Sequence, residues 1–179
     1  MLKNILIALV VLVLVVVVVI ALRPADFRYT RTATIAAPPS AVFAQVNDLH
    51  KWEAWSPWAK IDPAMKQTYE GAPFGPGASY TWAGNAKAGE GRSTILENRA
   101  DEMIRMKLEF LKPFAATHDV EFTFKPEGAQ TAVTWTMSGK NNFMGRAFGL
   151  FVDCEKMVGG DFERGLASLK ALVEGTPKP

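Results

Sequence analysis

An unbroken apolar segment near the N-terminus divides this chain into two parts of different character. Residues 5–22 read ILIALVVLVLVVVVVIAL and carry no polar side chain. As a helix, these 18 residues would cover about 27 Å, close to the thickness of a bilayer core. A cleaved signal peptide would have a shorter apolar core and small residues before the cut, whereas this segment runs into Arg23-Pro24. We therefore expect residues 1–23 to form an uncleaved membrane anchor rather than a signal peptide.

The charges that flank this segment leave its orientation open. Lys3 and the terminal amine precede the segment, and Arg23, Arg28 and Arg31 follow it. The positive-inside rule leans slightly towards a cytoplasmic domain, whereas a very short N-terminal tail often stays inside while the following chain is exported. We expect the second arrangement, a single-pass membrane protein whose soluble domain lies on the exported side.

The remaining residues, 24–176, have the length of one soluble domain, and their composition excludes several classes of protein. The chain has a formal net charge of +2 and no run of five basic residues, so it lacks the electrostatic footprint of a nucleic-acid-binding protein. A single cysteine, Cys154, excludes an intrachain disulfide. His50 and His118 are the only histidines and do not occur at zinc-binding spacings. We expect no metal, no cofactor and no nucleic-acid partner, and the oligomeric state stays open.

Apolar and polar side chains alternate along most of this domain, which predicts β-strands that bury one face. The alternating stretches are FRYTRTATIAA (27–37), SYTWAG (79–84), GRSTILEN (91–98), MIRMKLEFL (103–111), THDVEFTFKP (117–126) and TAVTWTMSG (131–139). Because their wet faces are polar, the sheet is expected to be antiparallel.

Helical patterns lie on either side of these strands. Pro38 and Pro39 stop the first strand, after which a short helix begins and then a second one, LHKWEAW (49–55), led by Asp48. From about residue 145 to 173 the apolar side chains follow a helical period, which predicts one long C-terminal helix. Within it, Gly159-Gly160 indicates either a bend or a group packed close to the backbone. The order of elements contains no βαβ unit, so the fold class is α+β.

This order resembles the helix-grip fold of the START-like, or polyketide-cyclase-like (SRPBCC), superfamily. IAAPPSAVFAQVNDLHKWEAWSPW (35–58) looks like the opening of that family, and GGDFERGLASLKALVE (159–174) looks like its closing helix. Residues 55–85 resemble bacterial members of the polyketide cyclase/dehydrase type. The resemblance implies a curved antiparallel sheet of six or seven strands wrapped round the long helix, with two short helices after the first strand. Because the resembling members are bacterial, we expect the anchor in a bacterial inner membrane, and the exported side would then be the periplasm.

Members of this superfamily bind sterols, lipids, polyketides, hormones or aromatic compounds in the space between sheet and helix. Aromatic residues and methionines on the inner face of the alternating strands and on the long helix would line such a cavity. Among the clustered Trp52, Trp55 and Trp58, packing in the core is the default function, with Trp58 nearest the mouth. The predicted ligand-binding residues are Trp58, Tyr80, Trp82, Phe110, His118, Phe122, Trp135, Met137, Phe148 and Phe151.

Three hypotheses follow for the function. The favoured one is a membrane-anchored domain that binds a hydrophobic small molecule or lipid without catalysis. The alternative is a cyclase- or dehydrase-like enzyme acting on an aromatic substrate, with His118 or Glu97, which have the parity of inward residues, as general acid or base. The third is an interaction module whose interior is filled by its own side chains.

Overall fold

The apolar N-terminal segment is a single α-helix, α1 (Leu2–Leu22), in the computed structural model, which describes residues 1–59 and 61–175. By length and composition α1 is able to cross a membrane, a property that signal sequences share. All of its side chains are exposed except Ile20, so the helix stands apart from the domain up to its last turn.

The domain is built on one antiparallel sheet of seven strands in the order β1-β7-β6-β5-β4-β3-β2. Its strands are β1 (Asp26–Ile35), β2 (Lys66–Gly71), β3 (Ala78–Ala83), β4 (Glu90–Arg99), β5 (Met103–Lys112), β6 (Ala116–Glu127) and β7 (Gln130–Lys140). The alternating stretches all form strands, and β2 adds one that none of them included. The predicted α+β helix-grip arrangement is therefore confirmed.

Two short helices follow β1, as expected. They are α2 (Pro39–Val46) and a 3-10 helix (Leu49–Ala54). Proline at its first position suits α2, since proline lacks only an N–H that would be unpaired there. The Asp48 side chain caps the 3-10 helix by accepting a hydrogen bond from the backbone N–H of His50 (3.0 Å).

The C-terminal helix is shorter than its sequence pattern predicted. Residues Phe143–Phe148 form a separate short helix, α3, and the long helix, α4, covers Cys154–Glu174. Helix α3 ends at its C-cap, Gly149, and α4 begins after its own N-cap, Asp153, which accepts from the N–H of Lys156. The spacing of apolar residues alone does not reveal where such a cap begins a new helix.

Helix α4 packs against β1 and the concave face of the sheet. The guanidinium of Arg31 on β1 occupies the space that a side chain at Gly159 would need, and it pairs with Glu155 (3.2 Å) and Glu163 (2.6 Å). Of the two explanations for the paired glycines, close packing against the backbone is therefore the one observed.

One end of the sheet lies next to α1, and we call it the anchor end. Asp26 at the start of β1 is paired with Lys140 at the end of β7. The pairing of the other strands places four further strand ends at this end of the sheet: the start of β6, the end of β5, the start of β4 and the end of β3. The β3–β4 and β5–β6 loops, α3 and the first turn of α4 therefore share the anchor end. The β2–β3 loop, residues 72–77, lies at the opposite end.

Candidate functional site: an aromatic cavity under the long helix

A cavity of about 400 Å³ lies between the concave face of the sheet and α4. Six of the predicted ligand-binding residues stand in its wall: Trp58, Tyr80, Trp82, Phe110, Trp135 and Met137. Aliphatic and sulfur-containing side chains complete the wall, with Met106, Leu108 and Val120 on the sheet and Met157 and Val158 on α4. The chain therefore encloses an apolar space of the size that takes small molecules.

Strands β3 and β4 form one side of this cavity, where a glycine makes room for a large ring. Trp82 lies directly opposite Gly91, and its indole covers the position that a side chain at Gly91 would fill. The indole N–H donates to the backbone carbonyl of Ala88 (3.1 Å). Its only polar atom is thereby satisfied, so Trp82 presents an apolar face to the cavity.

The three clustered tryptophans divide between core and cavity. The indole N–H groups of Trp52 and Trp55 donate to the carbonyls of Val46 (2.9 Å) and Gln45 (3.3 Å), and both side chains are buried. Trp52 also borders the cavity, whereas Trp55 does not. Trp58 is half-buried and stands edge-on to Trp135, with ring centroids 5.6 Å apart. The short stretch thus closes the core and supplies one wall of the cavity at the same time.

Phe122 and His118 face the concave side of the sheet but do not line this cavity. Phe122 is fully buried against Trp55 and Trp135. His118 lies between Phe27 and Phe110, with ring centroids 4.9 and 5.8 Å away, where burial lowers its pKa. Its Nδ1 atom is buried without a hydrogen-bond partner among the described residues. His118 therefore does not border this cavity, and its contact with a ligand stays a prediction.

The predicted ligand-binding residues Phe148 and Phe151 do not line this cavity. These side chains are 52% and 87% exposed and lie outside the cavity, at the end of α3 and in the turn before α4. Their positions differ from the expected ones because of the helix break described above, since a continuous helix would have turned both rings towards the sheet.

Glu97 also differs from its expected position. The pairing of β4 with β5 slips between Ile95 and Glu97, where Leu96 forms a bulge. A bulge inserts one residue and moves the following side chains to the other face. Glu97 therefore points outwards and lies 3.6 Å from Arg105 in an exposed ion pair. It has no access to the cavity.

Five uncharged polar side chains line the cavity: Ser56, Gln67, Tyr69, Tyr80 and Ser93. Tyr80 on β3 and Ser93 on β4 are directly paired across the strands, and both line the cavity. Burial holds the pKa of the Tyr80 hydroxyl well above its usual range, so this group stays neutral. The Ser93 hydroxyl is buried as well. Tyr80 and Ser93 therefore place two neighbouring, uncharged hydroxyl groups on a largely apolar wall.

The opening of the cavity is bordered by the lining residues that are exposed. These are Glu53, Ile61, Lys87 and Met157. Asp62 connects the segment next to Ile61 with the β3–β4 loop that carries Lys87. Its carboxylate accepts a hydrogen bond from the backbone N–H of Asn85 in that loop (2.7 Å). Within residues 1–59 and 61–175, no three side chains of histidine, cysteine, aspartate or glutamate come together as a metal site would require.

Comparison with known proteins identifies the family. Residues 26–174 match the sequence profile described as "Polyketide cyclase / dehydrase and lipid transport". A comparison with curated proteins finds no match. The matched range covers the sheet, the short helices and α4, so the profile describes the whole domain after α1.

Solved structures share the fold over most of the chain. A solution structure from Thermobifida fusca is 21% identical and covers 83% of this chain and 93% of its own, with a TM-score of 0.62. Protein CV1439 from Chromobacterium violaceum is 18% identical and covers 85% and 99%, with a TM-score of 0.59. Protein Ms6760 from Mycobacterium smegmatis is 16% identical and covers 83% and 91%, with a TM-score of 0.56. At these identities the likeness shows a common fold.

Proposed function

The chain belongs to the polyketide cyclase, dehydrase and lipid transport family, and we propose that its domain binds a hydrophobic small molecule or lipid while α1 holds it in a membrane. The observation that carries the proposal is the aromatic cavity of about 400 Å³. An apolar space of this size that is neither filled by side chains nor open to bulk water on all sides is typical of small-molecule sites. A module with a filled interior would lack it.

The wall of the cavity favours a ligand with an apolar body and one uncharged polar group. Tyr80 and Ser93 supply hydroxyl groups that both donate and accept hydrogen bonds. The charged lining residues Glu53, Lys87 and Asp161 stay exposed or half-exposed, so a charged ligand group would find partners only near the opening. A buried charge without a partner is costly. Alcohols, ketones, sterols and neutral polyketides fit this description.

Binding is favoured over catalysis because the nominated acid–base groups lie elsewhere. A general acid or base needs to come within hydrogen-bond reach of the substrate, about 2.6–3.2 Å. His118 is packed behind Phe110, and Glu97 is on the outer face of the sheet. A cyclase- or dehydrase-like activity would have to use other groups in the wall, and it remains the second hypothesis.

The membrane part of the proposal rests on α1. Eighteen consecutive apolar residues, exposed along nearly the whole helix, would be unstable in water, whereas the backbone of a helix is fully hydrogen-bonded in lipid. A lipid-like ligand partitions into the same phase, so an anchored domain would meet it at high local concentration. We place the domain on the periplasmic side of a bacterial inner membrane.

Native mass spectrometry of the full chain, purified from its host in lipid nanodiscs, tests the binding proposal. The wild-type chain released from the nanodisc should carry an additional mass that belongs to a bound apolar ligand. Leu108→Trp should abolish that mass, because Leu108 lines the cavity and a larger ring would fill it. Lys107→Trp is the matched control, since it adds the same ring to the same strand on the outer face.

An empty wild-type chain would call for a second measurement. The full chain would then be titrated with long-chain alcohols, sterols and polycyclic aromatic compounds. If none of these binds the wild type more tightly than Leu108→Trp, the binding proposal is wrong. Turnover of a bound aromatic compound would instead favour the enzyme hypothesis.

A further inference from the structure

The end of α1 is fastened to the domain by two hydrogen bonds. Arg146 on α3 donates through Nη1 to the carbonyl of Ala21 (2.9 Å), one of the last carbonyls of α1 that have no helical partner. Arg23 donates through Nη1 to the carbonyl of Gly149 (2.6 Å). Ile20 is buried in the same region. These contacts hold the helix end directly against α3 and the turn that follows it.

The chain between α1 and β1 is too short to separate the domain from a membrane. Only Arg23, Pro24 and Ala25 lie between the two elements. Three extended residues span at most about 11 Å. If α1 crosses a bilayer, the anchor end of the sheet must therefore lie at the surface of that bilayer.

Exposed apolar side chains are concentrated at this same end. Phe148, Leu150 and Phe151 flank Gly149, the residue that accepts the hydrogen bond from Arg23. Leu111 near the end of β5 and Phe114 in the neighbouring β5–β6 loop are exposed as well. A water-facing surface would seldom carry so many large apolar groups together, and such patches mark contacts with partners or membranes.

The opening of the cavity lies beside this patch. Met157 borders the opening and sits in the first turn of α4. Cys154, in the same turn, borders a second hollow together with Arg23 and Phe27, next to the end of α1. Cys154 and Met157 belong to one helical turn, so this turn of α4 borders both the opening and the hollow next to Arg23. Lys87 in the β3–β4 loop also borders the opening at the anchor end.

Charge is partly neutralised at this surface, although the exposed Lys87 forms no ion pair among the described residues. Lys112 is paired with Glu90 (2.8 Å), and Lys140 is paired with Asp26 (3.8 Å). Paired lysines contribute little net attraction for anionic lipid headgroups. Salt would screen the attraction of Lys87 for headgroups, whereas contact made by the apolar rings should persist at high salt.

From these relationships we infer that the anchor end is a lipid-docking face: Phe114, Phe148 and Phe151 insert into the bilayer surface and hold the cavity opening at the membrane, so that a ligand passes from lipid into the cavity without crossing water. The inference rests on the membrane anchoring proposed above. Beyond anchoring, the inference states that the domain lies on the bilayer in one fixed orientation. A domain that was only tethered by α1 would tumble.

Site-specific fluorescence on the full chain tests this orientation. Single cysteines replace Phe114, Phe151 or Phe74 in a Cys154→Ala background and carry an environment-sensitive dye. Phe74 is the matched control, because it is 62% exposed against 63% for Phe114 but lies in the β2–β3 loop at the opposite end. The proteins are reconstituted into phosphatidylcholine vesicles.

The dyes at positions 114 and 151 should emit at shorter wavelength than the dye at 74, and lipids carrying nitroxide groups should quench them at least about threefold more. Both effects should survive 1 M salt, at which the Debye length falls to about 3 Å. Flotation of the vesicles checks anchoring independently. If the protein floats while all three dyes report water, the docking face is wrong and the anchored binding domain stands. If the protein does not float, the anchoring itself is wrong, and the docking inference falls with it.

Discussion

Trp135 on β7 stacks on Phe162 on α4, with ring centroids 4.2 Å apart and ring planes 7° from parallel. Trp58 stands almost perpendicular to both rings. The same three side chains border the cavity. The contact that joins the long helix to the sheet is therefore also part of the candidate binding site, so core packing and the shape of the cavity are coupled.

We expect Phe162→Ala to lower the free energy of unfolding by about 3–5 kcal/mol, because it removes a fully buried ring from the junction of sheet and helix. Thermal unfolding of the full chain in nanodiscs, followed by near-ultraviolet circular dichroism, measures the change. Met157→Ala on the same helix is the control and should change little, since Met157 is exposed. Equal losses in both variants would contradict a stacking role for Phe162.

Two glycines on α4 should respond to alanine with opposite signs. A Cβ atom at Gly165 would lie 2.8 Å from Cζ3 of Trp135 and 3.0 Å from Cδ of Pro57, which is closer than packed atoms tolerate. Gly165→Ala should therefore destabilise the fold by about 1–3 kcal/mol. A Cβ atom at Gly160 meets only the tip of Arg164 at 3.6 Å, so Gly160→Ala should stabilise by about 0.5–1 kcal/mol. The same melting experiment decides, and stabilisation by both changes would show that Trp135 does not press against the helix.

His118 should make the stability of the domain depend on pH. Burial lowers the pKa of His118 in the folded state below its ordinary value of 6.5, so between these two values the unfolded chain binds more protons. This contribution to stability is fully present above pH 6.5 and is lost as the pH falls through the folded-state pKa. His118→Leu should therefore flatten the decrease in melting temperature between pH 7 and pH 5. An unchanged slope would place the titrating group elsewhere.

Removing the hydroxyl groups of the cavity should alter selectivity rather than overall affinity. We expect Ser93→Ala or Tyr80→Phe to weaken binding of a long-chain alcohol by about 0.5–1.5 kcal/mol, roughly twofold to tenfold, with no effect on the alkane of equal length. Fluorescence competition in nanodiscs measures both ligands on each variant. An equal loss for alcohol and alkane would mean that these residues shape the wall without contacting the polar group of the ligand.

The strands and the α+β class were predictable because alternation and helical period report directly on which faces are buried. Five of the predicted binding residues line the cavity for the same reason, because alternation places them on the inner face of their strands: Tyr80, Trp82, Phe110, Trp135 and Met137. The sixth, Trp58, follows the 3-10 helix and Pro57. Whether these six bind a ligand stays a prediction until one is measured.

The residues that were misplaced depend on local irregularities. A single bulge at Leu96 turned Glu97 to the outer face. The predicted long helix is interrupted after Phe148, so Phe148 and Phe151 do not face the sheet. Strand alternation and helical spacing predict side-chain directions only for regular elements. One inserted residue or one helix cap therefore changes the predicted direction of the side chains that follow it.

By itself, the sequence determined the apolar N-terminal helix, the order of strands and helices and the family, since these depend on composition and on the spacing of residues close in the chain. Only the tertiary structure decided that a cavity stays open, that Trp135 stacks on Phe162 in its wall, and that the opening and the exposed rings share the end from which α1 leaves. These relationships join residues more than 100 positions apart in some cases, as with Arg23 and Gly149. They depend on sheet curvature and register, which are properties of the packed chain and which no local pattern records.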